Sequence, residues 1–238
     1  MPEAELLWPG GPRLIQAAHF RLGTDCVLLA DFVNTTGAKR GIDLGCASGA
    51  LMLLLLERAP GLHMTGLEIV PEAAALAREN MALNGFQTRG EIITGDIREH
   101  RALFRAGSFD LVVCNPPYFP RGSGALPSDA DRAAARSELL CTLPELCAAA
   151  AFLLQTGGRA SFVHRPERLS ELLVCLTAAG LEPKRLRLVC RDSQAAPSLV
   201  LVEARRGGKP GLTIEPSLYL QNPDGSESDE YKHIYHRI

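Results

Sequence analysis

A ten-residue stretch near the middle of the chain combines a buried-strand pattern with groups that can hold an amino group. Residues 109–118 read Phe-Asp-Leu-Val-Val-Cys-Asn-Pro-Pro-Tyr, and the apolar part is typical of a buried strand. Pro116 and Pro117 lack an N–H and fix φ, so the strand must end at Asn115. The Asn115 amide oxygen and the Pro116 carbonyl can together accept both hydrogens of a planar NH₂ group, and Tyr118 offers a ring on which a flat base can stack. The same run also fits a strand-ending turn without chemistry.

Three other predicted strand ends carry groups suited to a nucleoside. The stretch 43–49, Asp-Leu-Gly-Cys-Ala-Ser-Gly, joins a strand to a helix, and Gly45 and Gly49 let the backbone approach a ligand closely. Glu68 ends the next strand, where an acid can accept both ribose hydroxyls, and Asp96 ends the third, where it could accept from an adenine amino group. Each feature alone also fits a packing turn or a solvated strand end, but together they indicate a binding site. The loop lacks the G-x-G-x-x-G spacing that seats a diphosphate, so we expect an adenosine ligand without one.

Strands and helices alternate through the first 165 residues, which predicts an α/β fold with a doubly wound, mostly parallel sheet. We expect seven strands, the last two forming an antiparallel hairpin on one edge: 41–44, 64–69, 91–94, 109–114, 159–164, 183–190 and 198–204. The predicted helices are 26–33, capped by Thr24 or Asp25, then 50–58, 71–83, a polar helix ending at 104, 132–154 broken at Pro144, and 166–179. We divide the chain into a lead-in (1–35), the main domain (36–206) and a tail without strong periodicity (207–238).

The composition indicates a reduced intracellular protein. The chain has 238 residues, 46% of them hydrophobic, and a formal net charge of −2. This balance argues against a large nucleic-acid surface but not against a local one. The seven cysteines show no C-x-x-C spacing, which predicts neither a disulfide framework nor a metal site. The N-terminus does not look like a signal peptide, and the longest apolar run, 51–56, is too short to span a bilayer. We therefore expect a cytoplasmic protein without a membrane segment.

These motifs resemble those of class I S-adenosylmethionine-dependent methyltransferases that have an N-P-P-Y active site. Within that class the chain is similar to the bacterial tRNA adenine-N(6) methyltransferases that modify valine tRNA beside the anticodon. The narrower resemblance rests on residues 20–25, 135–138 and the tail around Tyr231. The family usually has glycine where Ala47 stands, and a methyl group there fits if the φ of Ala47 is negative.

The resemblance implies a Rossmann-like methyltransferase fold, S-adenosyl-L-methionine as cofactor, and roles for individual residues. Asp43, Gly45 and Gly49 would cradle the methionine part of the cofactor. Glu68 would hold its ribose. The adenine would be read by Asp96 and the backbone of Ile97, and the pocket would be closed by Thr24 and Asp25. The residues implied for catalysis are Asn115, Pro116, Pro117 and Tyr118, with Asn115 also beside the cofactor. Methyl transfer would be direct and would need no metal.

The acceptor and its contacts stay open at this stage. An N-P-P-Y site can also grip a glutamine amide, so a protein glutamine-amide methyltransferase is the first alternative, although only about 40 residues precede the first strand where that family carries a longer helical domain. A nicotinamide-dependent oxidoreductase and a cofactor-binding module without catalysis fit less well. The candidates for phosphate contacts with a tRNA are Arg132, Arg136, Lys184, Arg185 and Arg187. A solvated, charged strand edge explains the last three equally well.

Overall fold

The computed structural model describes residues 4–17, 21–116 and 141–238, and a nine-stranded sheet lies at its centre. The strands are β1 (Glu5–Leu6), β2 (Arg13–Leu14), β3 (Arg40–Leu44), β4 (His63–Glu68), β5 (Gly90–Thr94), β6 (Phe109–Cys114), β7 (Leu154–His164), β8 (Leu181–Cys190), β9 (Pro197–Arg206), β10 (Thr213–Ile214) and β11 (Leu218–Tyr219). β1 and β2 form a separate antiparallel hairpin. The central sheet runs in the order β5-β4-β3-β6-β7-β9-β8-β10, and β11 also pairs with β8.

The five strands β3 to β7 form the parallel part of the sheet. Each pairs with its neighbours in parallel register, for example Asp43 with Val113 and Glu68 with Thr94. The central strands β3 and β6 are buried over most of their length because the sheet is covered on both faces, and Ile42 and Val112 are completely buried. The predicted doubly wound, mostly parallel sheet is confirmed.

The far edge of the sheet is antiparallel, as predicted. β9 pairs antiparallel with both β7 and β8, so the last two long strands form a hairpin. The sheet has nine strands rather than seven because the tail adds β10 and β11, each of two residues, in parallel along β8. Such short segments leave no periodicity in the sequence, which is why the tail could not be assigned from pattern alone.

The helices pack on the two faces of the sheet. They are α1 (Thr24–Phe32), α2 (Ala50–Arg58), α3 (Pro71–Leu83), α4 (His100–Leu103), α5 (Leu143–Leu153), α6 (Leu169–Ala178) and α7 (Asp229–Ile234). Residues of α1, α2 and α3 belong to one buried apolar cluster, and those of α5 and α6 to the other. The segregation into two clusters is the packing expected of a doubly wound sheet.

One predicted helix start, one predicted strand start and one predicted cap differ from the structure for identifiable reasons. Within the described residues, the predicted helix 132–154 starts only at Leu143. Thr142 and Glu145 form a capping box there, and Pro144 occupies the first turn. Its first half, like the loop before it, lies outside the described residues. Residues 154–158 belong to β7, with a register irregularity opposite β6. At the other end of the chain, α1 begins at Thr24 after Gly23, which makes no side-chain cap, so neither Thr24 nor Asp25 is the N-cap.

The two ends of the chain meet beside α1. The Trp8 ring stacks on His236 with a centroid distance of 4.1 Å. Tyr235, just after α7, makes a side-chain hydrogen bond with Thr24 at the start of α1. The tail is therefore packed against the main domain through both β-pairing and α7.

Within the described ranges, no helix combines the length and the apolar character that crossing a membrane requires.

Candidate active site

The predicted site residues converge because parallel neighbouring strands end at the same edge of the sheet. β5, β4, β3 and β6 are adjacent in that order. Their carboxyl ends carry Asp96, Glu68, the loop 45–49 and Asn115. In open α/β sheets this edge is where ligands bind, at the point where the strand order reverses, which here lies between β3 and β6.

Asp43 is a buried carboxyl next to this edge, and one of its oxygens has no partner among the described residues. The residue is 2% exposed, and its Oδ2 has no hydrogen bond to any part of the chain that the structure describes. Burial, with a smaller contribution from the charge of Glu68, raises the pKa of Asp43 to about 8. A buried carboxyl in this state is suited to receive a cationic group that brings its own hydrogen-bond donors.

The loop after β3 is built from residues in the left-handed region. Gly45 and Gly49 have φ of +80° and +78°, and a Cβ on Gly45 would meet nothing within 4 Å, so the backbone there faces open space. Gly49 faces α3 instead, where an added Cβ would lie 3.2 Å from Ala77 Cβ. Ala47 has φ of +46°. We expected the Ala47 methyl group to fit if the φ of Ala47 were negative, and that condition is not met. Ala47 instead has a left-handed backbone conformation that favours glycine.

Glu68 fixes the loop to the end of β4. Its Oε2 accepts the N–H of Ala47 at 2.8 Å, and its Oε1 accepts the N–H of Val70 at 2.9 Å. A carboxylate has about four acceptor positions, so two remain for other donors. Glu68 therefore both supports the loop and keeps acceptor capacity for a pair of hydroxyls.

Asp96 and Ile97 follow β5, where the chain enters a 3₁₀ turn spanning Ile97–Glu99. The Asp96 carboxylate accepts the N–H of Arg98 at 2.8 Å and forms an ion pair with the Arg98 side chain. These bonds, the side-chain one first, lower the pKa of Asp96. Asp96 is thus charged and oriented, and Arg98 shares it with any ligand that binds there.

Asn115 and Pro116 lie at the end of β6, next to the end of β3 and the loop 45–49 that follows it. The Cys114 thiol donates to the carbonyl of Leu44 at 3.0 Å and joins the ends of β6 and β3. Asn115 is half-buried and Pro116 is buried. Pro117 and Tyr118 lie outside the described residues, so their roles stay predictions.

α1 brings Thr24 and Asp25 to the same region. The Cys26 thiol lies close enough to both Asp25 and Asp43 that burial and then their charges raise its pKa. Asp25 Oδ1 accepts the N–H of Cys26 at 2.8 Å. The start of α1 therefore lies beside the buried Asp43, and the closing of a pocket by Thr24 and Asp25 stays a prediction.

The predicted phosphate-binding residues on β8 already have protein partners. Arg185 pairs with Glu203 at 3.0 Å and Glu215 at 2.7 Å, and Arg187 pairs with Glu230 at 2.7 Å. Lys184 donates to the carbonyl of Lys209. Arg132 and Arg136 lie outside the described residues.

One buried residue that joins the loop to its surroundings was missed from the sequence. Asn80, in the Ala-rich helix α3, is completely buried and hydrogen-bonds both Ile15 and Ser48. An asparagine in the interior of a helix is unfavourable unless its side chain has partners elsewhere. The spacing of Asn80 and Asn84, which places both on one face of α3, was the available signal.

The methyltransferase small domain family matches residues 18–172. This chain belongs to that family. Its similar proteins include a tRNA1(Val) (adenine(37)-N6)-methyltransferase from Tolumonas auensis, 34% identical over 89% of this chain and 86% of the relative. A protein of the same name from Porphyromonas gingivalis is 34% identical over 78% of this chain and 74% of its own length. One from Aeromonas hydrophila is 30% identical over 89% of this chain and 86% of its own length. The family predicted from the motifs is confirmed.

Solved structures agree on the methyltransferase fold. A predicted O-methyltransferase from Agrobacterium tumefaciens superposes with a TM-score of 0.74 and 21% identity, over 90% of this chain and 96% of its own. A geranyl diphosphate methyltransferase in complex with S-adenosylmethionine gives a TM-score of 0.56 and 15% identity, over 76% and 84%. At identities of 21% and 15%, these similarities show that the chain has the same fold and no more than that.

Proposed function

We propose that this protein transfers a methyl group from S-adenosylmethionine to the exocyclic amino group of adenine in tRNA. The observation that carries the proposal is that three neighbouring strands end side by side and carry the loop 45–49, Glu68 and Asn115. A relative named for that activity matches 89% of this chain. The relatives modify adenine 37 of a valine tRNA by name, and we adopt that tRNA as the first substrate to test.

The residues present fit the cofactor. Asp43 offers a buried carboxyl oxygen, unpartnered among the described residues, for a cationic amino acid group. Gly45 leaves open space beside it, where a side chain would otherwise stand. Glu68 has acceptor capacity for ribose hydroxyls. Asp96 and Ile97 are the proposed contacts to the adenine, and Thr24 and Asp25 the proposed wall on the N-terminal side.

When bound, S-adenosylmethionine supplies a methyl group on a positively charged sulfur. The contribution of this chain is to hold the acceptor nitrogen. An adenine amino group is a weak nucleophile because its lone pair is delocalised into the ring. The Asn115 side-chain oxygen and the Pro116 carbonyl would accept its two hydrogens, which favours a pyramidal nitrogen with its lone pair directed at the methyl group. Tyr118 is proposed to stack on the ring.

The tRNA contacts are expected along the carboxyl edge of the sheet. Arg165 follows β7 and Arg191 follows β8, both are exposed, and both lie at the same edge as Asn115. Arg205, near the end of β9, lies at the opposite edge, where it donates to the carbonyl of Gly157. Arg191 pairs with Asp192 at 2.9 Å, just as Arg185 and Arg187 pair with glutamates, so partners do not separate these arginines. We rank the carboxyl-edge arginines first because they are exposed and lie at the edge of the sheet where the proposed site is.

The amide-methylating alternative differs only in the acceptor, since the same two carbonyl oxygens can hold a glutamine NH₂. The high coverage of tRNA-modifying relatives favours the nucleic acid. A cytoplasmic location and the division into 1–35, 36–206 and 207–238 stay predictions.

The test compares the wild type with Asn115→Ala in methyl transfer from labelled S-adenosylmethionine to total tRNA. We expect the variant to lose about 10²-fold or more in kcat, because an acceptor of the reacting amino group is gone. Asn34→Ala is the matched control, since the Asn34 side chain accepts the N–H of Thr36 within a surface loop. Equal rates for all three proteins would remove Asn115 from the mechanism, and label in protein but not in tRNA would favour the amide acceptor.

A further inference from the structure

Asn80 connects two walls of the proposed cofactor pocket that are distant in sequence. Its Oδ1 accepts the N–H of Ile15 at 2.8 Å, and its Nδ2 donates to the carbonyls of Ile15 at 3.0 Å and Ser48 at 2.9 Å. Ile15 belongs to the N-terminal lead-in, and Ser48 lies in the loop after β3. One buried side chain thus joins the lead-in, α3 and the loop.

The loop is attached to its surroundings from two sides. Ser48 stands between Ala47 and Gly49, both of which have positive φ. Glu68 holds the Ala47 N–H from the β4 side, and the Gly45 N–H donates to the carbonyl of Leu67 at 2.8 Å. The bond from Asn80 to the Ser48 carbonyl is the counterpart of these contacts on the α3 side. Without it, a buried carbonyl loses its partner and the loop loses one of its fixed points.

The lead-in continues from Ile15 toward the other wall. Gln16 accepts the N–H of Leu22 at 2.8 Å through its side chain, and Leu22 immediately precedes Gly23 and the start of α1. Thr24 and Asp25, the proposed wall residues, are therefore tied through Gln16 and Ile15 to the same asparagine. The position of one wall is linked to the position of the other.

We propose that Asn80 is a positioning residue for the cofactor, which holds the Ser48 carbonyl and thereby keeps the loop in its binding conformation. The inference rests on the proposed cofactor assignment and adds a residue that touches neither cofactor nor substrate. The loop is strained at Ala47, so it needs an external attachment to stay in place. Asn80 supplies that attachment from a rigid helix, and its side chain is completely buried.

The chain contains a matched control one turn along α3. Asn84 brackets the lead-in in the same way, since its Oδ1 accepts the N–H of Arg13 at 2.7 Å and its Nδ2 donates to the carbonyl of Arg13 at 2.7 Å. Its Nδ2 also donates to the carbonyl of Asn80, and among the described residues it makes no bond to the loop. Asn84→Ala loosens the lead-in, whereas Asn80→Ala loosens both the lead-in and the loop.

The experiment measures S-adenosylmethionine binding to the full chain by calorimetry, at a temperature where urea titration shows each variant more than about 99% folded. We expect Asn80→Ala to raise Kd about tenfold and Asn84→Ala to leave it within about twofold. Amide hydrogen exchange without cofactor gives a second readout. Exchange at 45–49 should accelerate only in Asn80→Ala, while Trp8 fluorescence, from the single tryptophan, should report movement of the lead-in in both.

If Asn80→Ala does not fold, the pair Asn80→Ser and Asn84→Ser replaces it, because serine is neutral and polar and its single short hydroxyl cannot make the three hydrogen bonds of either asparagine. Equal Kd values for the two variants of a pair would overturn the proposal, as would an unchanged exchange rate in the loop. A wild type that fails to bind S-adenosylmethionine would instead contradict the proposed function. Loop exchange that accelerates only in Asn80→Ala would still show that Asn80 holds the loop.

Discussion

The raised pKa of Asp43 predicts that replacing this carboxyl removes a loss of stability that the wild type undergoes as the pH rises toward neutral. An aspartate in an unfolded chain has a pKa of about 3.9, whereas burial raises the pKa of Asp43 in the folded protein to about 8. Between these values the folded state keeps a proton that the unfolded state has released. Because the unfolded state binds fewer protons, stability falls as pH rises through this window.

The size of the effect follows from the two pKa values. Each pH unit inside the window costs about 1.4 kcal/mol, so between pH 4 and pH 7 the wild type loses on the order of 4 kcal/mol from this one group. A carboxamide does not ionise in this range, so the variant Asp43→Asn lacks this slope. Relative to its value at pH 4, the stability difference between variant and wild type should shift in favour of the variant by that amount at pH 7. His164, whose pKa burial lowers to about 4, contributes equally to both proteins and cancels.

Urea unfolding of both proteins at pH 4, 5, 6, 7 and 8, followed by far-UV circular dichroism, measures the difference directly. The m values should agree, so that the midpoints alone carry the change. Calorimetry should show that Asp43→Asn no longer binds S-adenosylmethionine, because a carboxyl can release its proton when a cationic group binds, whereas the carboxamide stays neutral. A stability difference that stays constant across the pH range would refute the reasoning, since Asp43 would then be ionised in the folded wild type.

Two further substitutions test separate parts of the structure. Ala47→Gly should raise the free energy of unfolding by about 1 kcal/mol, because glycine adopts the observed φ of +46° without strain, and calorimetric scanning should show a Tm higher by about 2–4 °C. An unchanged or lower Tm would mean that Ala47 is not strained. Arg191→Glu should raise the KM for tRNA and reduce the dependence of log KM on log salt by about 1, with cofactor Kd unchanged. Arg205→Glu, at the opposite edge, is its control, and equal effects of the two would place the RNA elsewhere.

The parallel part of the fold could be predicted because each element carries a strong local signal. Pro71 starts α3 and Asn84 ends it within the predicted limits, and the apolar run from Phe109 to Cys114 is a strand over its full predicted length. Such runs are specified by burial on both faces and by proline and glycine at their ends.

The remainder depends on contacts that no short window contains. β10 and β11 exist only because β8 has a free edge beside them, and each is two residues long. The left-handed φ of Ala47 contradicts its residue type and reflects the demands of the loop. The position of Asn80 beside Ser48 depends on packing between residues that are distant in sequence. The pairing of Arg185 with two glutamates does too, and the sequence of β8 alone does not show it.

The most direct test of the proposed activity is the identity of the product. The wild-type protein is incubated with S-adenosylmethionine and an unmodified valine tRNA transcript, and the digested nucleosides are separated and identified by mass spectrometry. We expect N(6)-methyladenosine to appear with the wild type and to be nearly absent with Asn115→Ala. A methylated tRNA without N(6)-methyladenosine, or label that enters only glutamine of a protein fraction, would contradict the proposal that these strand ends hold an adenine amino group of tRNA.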